Sequence, residues 1–277
     1  MVLFDNHNHS QFSFDGKNTT VEASALSAKE KGLGGICFSD HYDLYVPEFK
    51  ASFEEIVPEY FDITGQQQEI DRVRTVLCNG SDFRILKGIE IGMYEDCHDE
   101  IRKVMDGNSF DQVIASVHYL ENTDPYYGGF FEGKDWKQAY SAYLETIYRE
   151  LTWLKDFDIA GHYDYVARYA PYPQDGIRYR DFSDIFDTLF KYLIEEGKAL
   201  EINTKSCQGT KGRKTSLDNE LLLRYREMGG EIISLGSDSH KPEDVAEGFT
   251  ETAALLKHLG FRWTAHYENR KLVQTCL

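Results

Sequence analysis

The stretch "VLFDNHNHS", residues 2–10, sets a short apolar run directly against two histidines spaced two apart. Residues two apart in a strand share a face, so His7 and His9 can meet a single object. A strand buried on both faces reads as an almost wholly apolar run, and ionisable residues at its carboxyl end mark where it opens on a site. What decides the fold is whether the rest of the chain repeats this pattern.

It does so six more times: "GICFSD" at 35–40, "RILKGIEI" at 84–91, "QVIASV" at 112–117, "DIAG" at 158–161, "ALEIN" at 199–203 and "EIISLGS" at 231–237. Helix-like segments separate these runs. The first covers Thr20 to Lys31, opened by the capping-box pattern Thr19-x-x-Glu22 and closed by Gly32. The others cover Asp62–Leu77, Asp99–Met105, Trp136–Asp156, Phe182–Glu196, Leu217–Met228 and Pro242–Leu259. Seven β-then-α units in a row predict an α/β fold with a parallel sheet, closed into a barrel rather than left open. No Gly-rich phosphate fingerprint is present, and the glycines at 32, 34, 35 and 80 read as caps and turns. The tail "FRWTAHYENRKLVQTCL" reads as a closing hairpin around "ENRK". The Tyr- and Pro-rich stretch Asp164–Arg180 reads as the longest loop, placed to overhang a site. With no low-complexity linker, residues 1–277 read as one domain.

Composition narrows the class. The 277 residues are 41% hydrophobic, with no apolar run near the roughly 20 residues that span a bilayer and no signal-peptide start. Five widely spaced cysteines without a CxxC pair speak against a disulfide framework or a thiolate zinc site and fit the cytoplasm. A net charge of −17 repels phosphate backbones, which excludes nucleic acid as the main partner. A small phosphorylated substrate then needs local positive charge, from Arg, Lys or metal. The sequence sets no oligomeric state.

The metal-capable side chains fall at the ends of the runs: His7 and His9, His41 in "SDH", Glu90 in "GIEIG", His118 in "SVH", His162 in "GHYD", Glu201 in "EIN", then Asp238 and His240 in "GSDSH". Six of the nine histidines sit there, on the face where barrel enzymes assemble their sites. Each one alone fits a packed core histidine or a paired carboxylate. Together they do not, because packing gives no reason for ionisable groups to end run after run, and burying them without an ion is costly. His98, His258 and His266 fall outside the pattern and read as surface or packing residues. Imidazole with carboxylate, and no thiolate, suits Zn²⁺, Mn²⁺ or Fe. Nine ligand candidates, the six run-end histidines with Asp15, Glu90 and Asp238, exceed what one catalytic ion takes, so two to three divalent ions are expected.

In order and spacing, "HNHSQFSFD", "FSDH", "GIEIG", "SVH", "GHYD", "EIN" and "SDSH" resemble the PHP (polymerase and histidinol phosphatase) phosphoesterases, most of all their histidinol-phosphatase branch. The resemblance implies a distorted (β/α)7 TIM-like barrel with a trinuclear site. It would place His7, His9, Glu90 and Asp238 on one metal, Glu90, His118 and His162 on a second, and Asp15, His41 and His240 on the third. Asp15 stands where many relatives have His. The implied activity is hydrolysis of L-histidinol phosphate to L-histidinol and phosphate by a metal-activated hydroxide, a step of histidine biosynthesis. Arg168 in "YVARYAP" would contact phosphate, as would Arg213 in "NTKSCQGTKGRK", chosen over Lys205, Lys211 and Lys214. Glu201, Asn203 and Asp164 are expected to orient ligands, with Asp164 also a candidate general acid. Three alternatives compete: the same chemistry on another small phosphate ester, a binuclear amidohydrolase, and an inactive regulatory module like those attached to polymerases. The third-site residues Asp15, His41 and His240 speak against the amidohydrolase.

Overall fold

The computed structural model describes residues 2–44, 60–209 and 214–277. Its strands are β1 (Phe4–Asn8), β2 (Gly35–Phe38), β3 (His41–Asp43), β4 (Arg84–Gly92), β5 (Gln112–Ser116), β6 (Ile159–Ala160), β7 (Ala199–Asn203), β8 (Ile233–Gly236), β9 (Trp263–Glu268) and β10 (Lys271–Cys276). Seven of them, β1, β2 and β4 to β8, pair in parallel with their neighbours in that order. The ring closes at the carboxyl ends, where Asp238 N donates to His7 O at 2.8 Å and His9 N to Ser239 O at 2.9 Å. At the amino ends β9 wedges between the last strand and the first: Ala265 pairs with Ser234 of β8, and its carbonyl accepts from Asn6 Nδ2 at 2.9 Å. The result is the distorted seven-stranded (β/α) barrel expected.

Two local features aim the site. β1 carries one extra residue between Asp5 and Asn8 relative to β2, a bulge that contains His7 and re-aims its side chain. The second run is interrupted at Ser39 and Asp40. Its first half, β2, pairs with Arg84–Lys87, and its second half, β3, with Glu90–Gly92, which sets His41 directly beside Glu90.

The helices are α1 (Val21–Glu30), α2 (Ile63–Leu77), α3 (His98–Gly107), α4 (Trp136–Leu154), α5 (Tyr165–Tyr169), α6 (Ser183–Glu195), α7 (Lys205–Gln208), α8 (Asn219–Glu227) and α9 (Phe249–His258). The long ones bury a stripe at helical spacing, for example Phe186, Leu189, Phe190 and Leu193 of α6. No helix among the described residues is long and apolar enough to cross a membrane.

Several expectations are corrected. The cap of α1 is Thr20, whose hydroxyl accepts from Ala23 N, while Thr19 bonds Ser24 instead. Gly35 is not a turn residue but opens β2, where a Cβ would lie 2.5 Å from the Phe4 ring. The segment 242–259 is not one helix, because Ala246 and Gly248 take positive φ and separate a 3₁₀ turn at Pro242–Asp244 from α9. Asp164–Arg180 is not a free loop, since it contains α5 and a 3₁₀ turn at Tyr179–Asp181. The hairpin of β9 and β10 turns at Asn269 and Arg270, both at positive φ as a two-residue connection requires. His266 stacks on Phe4 at 3.5 Å, His98 stacks on Trp153 at 3.4 Å, and His258 is exposed at the end of α9, as packing and surface roles demand.

Asp5 pins the closing segment to β1. Its buried carboxylate accepts from Ser237 N at 3.0 Å, Ser237 Oγ at 2.6 Å and Ala246 N at 2.8 Å. Asp5→Ala strands these donors, and denaturant unfolding is expected to show a loss of about 3 kcal/mol. A loss under about 1 kcal/mol would mean that water replaces the carboxylate at little cost.

Candidate metal centre

All nine metal-capable residues singled out from the sequence meet at the carboxyl rim of the barrel. Glu90, on β4, stands at the centre. Its Oε2 lies 3.1 Å from His7 Nε2, 3.6 Å from His9 Nε2 and 3.0 Å from His41 Nδ1; its Oε1 lies 3.3 Å from His118 Nε2 and 2.9 Å from His162 Nε2. Asp238 Oδ1 is 3.2 Å from His9 Nε2. On the outer side His240 Nε2 and His41 Nε2 lie 2.7 Å and 3.8 Å from Asp15 Oδ2. The expected groupings overlap: His9 also lies with Asp15, His41 and His240, and His41 also lies with Glu90 and His118.

The donor set fits divalent cations. His7 Nε2, His9 Nε2, His41 Nδ1, Glu90 Oε2 and Asp43 Oδ2 are buried, and none has a hydrogen-bond partner. They crowd together without pairing donor to acceptor, as lone pairs sharing a cation do. Four buried carboxylates, Asp43, Glu90, Glu201 and Asp238, gather here, and the one buried guanidinium among the described residues, that of Arg168, reaches only Asp238 of these. With neutral imidazoles the rim is short of positive charge, which low-dielectric surroundings make costly. The titration pattern carries the same message. Burial disfavours charged His118, yet Asp43 and Glu90 push it up to about 10. Burial likewise opposes charge on His7, but Glu90, Glu201 and Asp238 raise it well above its usual value. His9 is instead lowered to about 3 by burial and by the neighbouring His240 and His41.

A second layer orients these rings. Glu201 Oε1 accepts from His7 Nδ1 at 2.7 Å and its Oε2 from His162 N at 2.6 Å. The carboxylate fixes the proton of His7 on Nδ1 and leaves the Nε2 lone pair for an ion. Gly236 makes this possible, because a Cβ there would lie 2.4 Å from Glu201 Oε1 and 2.5 Å from His7 Cβ. Asn203 Nδ2 reaches Glu201 and Asp238, each at 3.4 Å. Asp238 itself sits at φ 53°, a left-handed conformation that costs a non-glycine residue roughly 1 kcal/mol. Asp43 was not singled out from the sequence, yet it holds His118 Nδ1 at 2.9 Å and lies 3.3 Å from His41 Nδ1. The signal was the alternation His41-x-Asp43, two residues on one face of a strand.

A family model described as "PHP domain" matches residues 5–205. The chain belongs to the PHP family. This PHP chain is 32% identical over 273 residues to "Histidinol-phosphatase" of Lactococcus lactis subsp. lactis, covering 98% of this chain and 97% of the relative. To "Probable histidinol-phosphatase" of Clostridium acetobutylicum it is 29% identical over 263 residues, covering 94% and 95%. The crystal structure of the Lactococcus lactis histidinol phosphate phosphatase, complexed with zinc, L-histidinol and phosphate, superposes with a TM-score of 0.84 at 29% identity over 98% of both chains. A Listeria monocytogenes structure shares the fold, with a TM-score of 0.72 at 19% identity over 90% of this chain and 99% of that one.

In the PHP chain the metal-capable rim forms one wall of a cavity of about 250 Å³. Arg168, on α5, is buried in another wall. Its Nε donates to Ser206 Oγ at 2.9 Å and its Nη1 to Asp238 Oδ2 at 2.8 Å, while its Nη2 has no hydrogen-bond partner. Asp164, buried and kept above its usual pKa by that burial, lies close to Arg168 and Ser206 and outside the cavity lining. Its interactions are with Arg168, Ser206 and His162. Lys205 lines the cavity, its Nζ 3.3 Å from Asp238 O. Arg213 and Lys211 lie outside the described residues.

Proposed function

We propose that this chain is a metal-dependent phosphomonoesterase that hydrolyses L-histidinol phosphate to L-histidinol and inorganic phosphate. The observation that carries the reading is Arg168: a guanidinium 4% exposed, tied by two donors and offering Nη2 without a partner beside the metal-capable rim. A buried, unpaired donor on a fixed cation is a preformed place for an oxyanion. The names and bound groups of the relatives support the choice of ester.

His7, His9, Asp15, His41, Glu90, His118, His162, Asp238 and His240 would hold two to three divalent ions, with zinc favoured by the bound zinc of the Lactococcus relative. Ions held there supply Lewis-acid charge to phosphoryl oxygens and lower the pKa of water for in-line attack. The chain's own residues do the positioning. Arg168 Nη2 and Lys205 draw the phosphate dianion into a protein of net charge −17 and set its orientation. Asp238, shared between His9 and Arg168, couples the place of the phosphate to the place of the ligands. Glu201 and Asp43 hold the proton-bearing Nδ1 atoms of His7 and His118 and leave their Nε2 atoms beside Glu90.

Phosphate release from a panel of monoesters, after metal loading, tests this. L-Histidinol phosphate is expected to exceed an aryl phosphate by about 100-fold in kcat/KM, and His9→Ala to abolish both. Equal turnover of the two esters would overturn the assignment of the ester, and no phosphate release from any ester would overturn the reaction class.

A further inference from the structure

The cavity is polar in two unequal ways. Arg168 and Lys205 give it a basic wall beside the metal-capable rim, and Asp124 gives it an acidic one. Three other carboxylates line it, and each already faces a basic group: Asp15 faces His240 and His41, Asp43 faces His118 and His41, and Asp238 faces His9 and Arg168. Asp124 has no such partner among the described residues. It is 8% exposed, and its two hydrogen bonds, from Tyr126 N at 2.7 Å and Tyr165 Oη at 2.9 Å, come from neutral donors. Both go to Oδ1, which leaves Oδ2 for a ligand.

The support around Asp124 fixes its distance from the chemistry. Tyr165 packs its ring 5.1 Å from that of His118 and 5.2 Å from that of His162, and its hydroxyl then holds Asp124. One tyrosine ring therefore stands between the carboxylate and the His118 and His162 rings, and both the carboxylate and those rings line the same cavity. Phe14 and Tyr126, each roughly two-fifths exposed, add aromatic surface to the same cavity. Aromatic faces next to a carboxylate suit a flat ring or an organic cation.

We propose that Asp124 is the specificity-determining residue of this site, pairing with a protonated amine or imidazolium on the non-phosphate half of the ester while Arg168 takes the phosphate. The inference rests on the phosphomonoesterase reading and narrows its substrate class to cationic monoesters, with neutral and anionic ones disfavoured. L-Histidinol phosphate carries an ammonium on the carbon next to its ester carbon and an imidazole beyond, so both ends of the cavity find their complement. Burial raises Asp124 to about 6, against the opposing pull of the Tyr126 amide, His118 and the Tyr165 hydroxyl, with Asp43 adding to the rise. A carboxylate ionised at neutral pH but held above its usual range is one that a bound cation stabilises.

Asp124→Asn keeps the shape and the Oδ1 acceptor and removes the charge. Its kcat/KM for L-histidinol phosphate is expected to fall roughly 10- to 100-fold, mostly through KM. For 3-phenylpropyl phosphate, a neutral ester of similar size, the change is expected to stay within about threefold, which also reports that the variant is folded. An equal fall for both esters, or no fall for either, overturns the role of Asp124 alone. Should the variant not fold, inhibition of the wild type decides: L-histidinol is expected to inhibit at least about tenfold more tightly than 3-phenylpropanol, and equal inhibition overturns the proposal. A wild type that cleaves no monoester overturns the phosphatase reading itself.

Discussion

Glu90→Gln is expected to leave a folded barrel that releases phosphate about 10³-fold more slowly and binds fewer metal ions per chain. Five of the six rim imidazoles approach the Glu90 carboxylate within 3.6 Å, three on Oε2 and two on Oε1. Burial would raise its pKa, but the His7, His41 and His118 charges outweigh burial and hold it well below the usual carboxylate range. Glutamine fills the same space, yet it brings no charge and turns one acceptor into an N–H donor aimed at imidazole nitrogens. The Ser116 hydroxyl, which donates to Oε1 at 2.7 Å, loses its ionic acceptor as well. Elemental analysis and phosphate release on the same preparation read both effects. A variant with undiminished metal and a rate within threefold of wild type would remove Glu90 from the centre of the site.

Arg168→Lys should lower kcat/KM about 100-fold with metal content unchanged. The guanidinium holds Ser206 with Nε and Asp238 with Nη1, and its Nη2 has no hydrogen-bond partner. A lysine ammonium is a single point and cannot reproduce that fork. Both KM and kcat are expected to suffer if the group that steadies Asp238 also binds the phosphate, as proposed. If kinetic constants stay unchanged while thermal stability falls, Arg168 serves only as the counter-ion of Asp238.

The barrel was legible because strands buried on both faces must be apolar throughout, so histidines and carboxylates at their carboxyl ends stand out against the runs. Glu90 was found inside "GIEIG" for that reason, and the structure brings it beside five rim histidines. Where the polypeptide departs from that alternation, the sequence is silent. The bulge at His7 depends on how β1 meets β2, and the pairing of His41 with Glu90 depends on β2 and β3 both lying against β4. The Tyr- and Pro-rich stretch after His162 lacks helical periodicity, yet Tyr165–Tyr169 winds into a turn of helix because that places Val166 and Ala167 in the core and Arg168 on the cavity wall. Asp124 comes from a connection with no regular pattern at all, and only the Tyr165 hydroxyl and the cavity give it meaning.

If the rim gathers cations, the number bound per chain is decisive. Purified protein, dialysed free of loose metal, should retain two to three equivalents of divalent ion per chain, lose phosphatase activity as a chelator strips them, and regain it on reloading. Protein that hydrolyses L-histidinol phosphate at full rate with less than one equivalent bound would show that the rim does not act through metal.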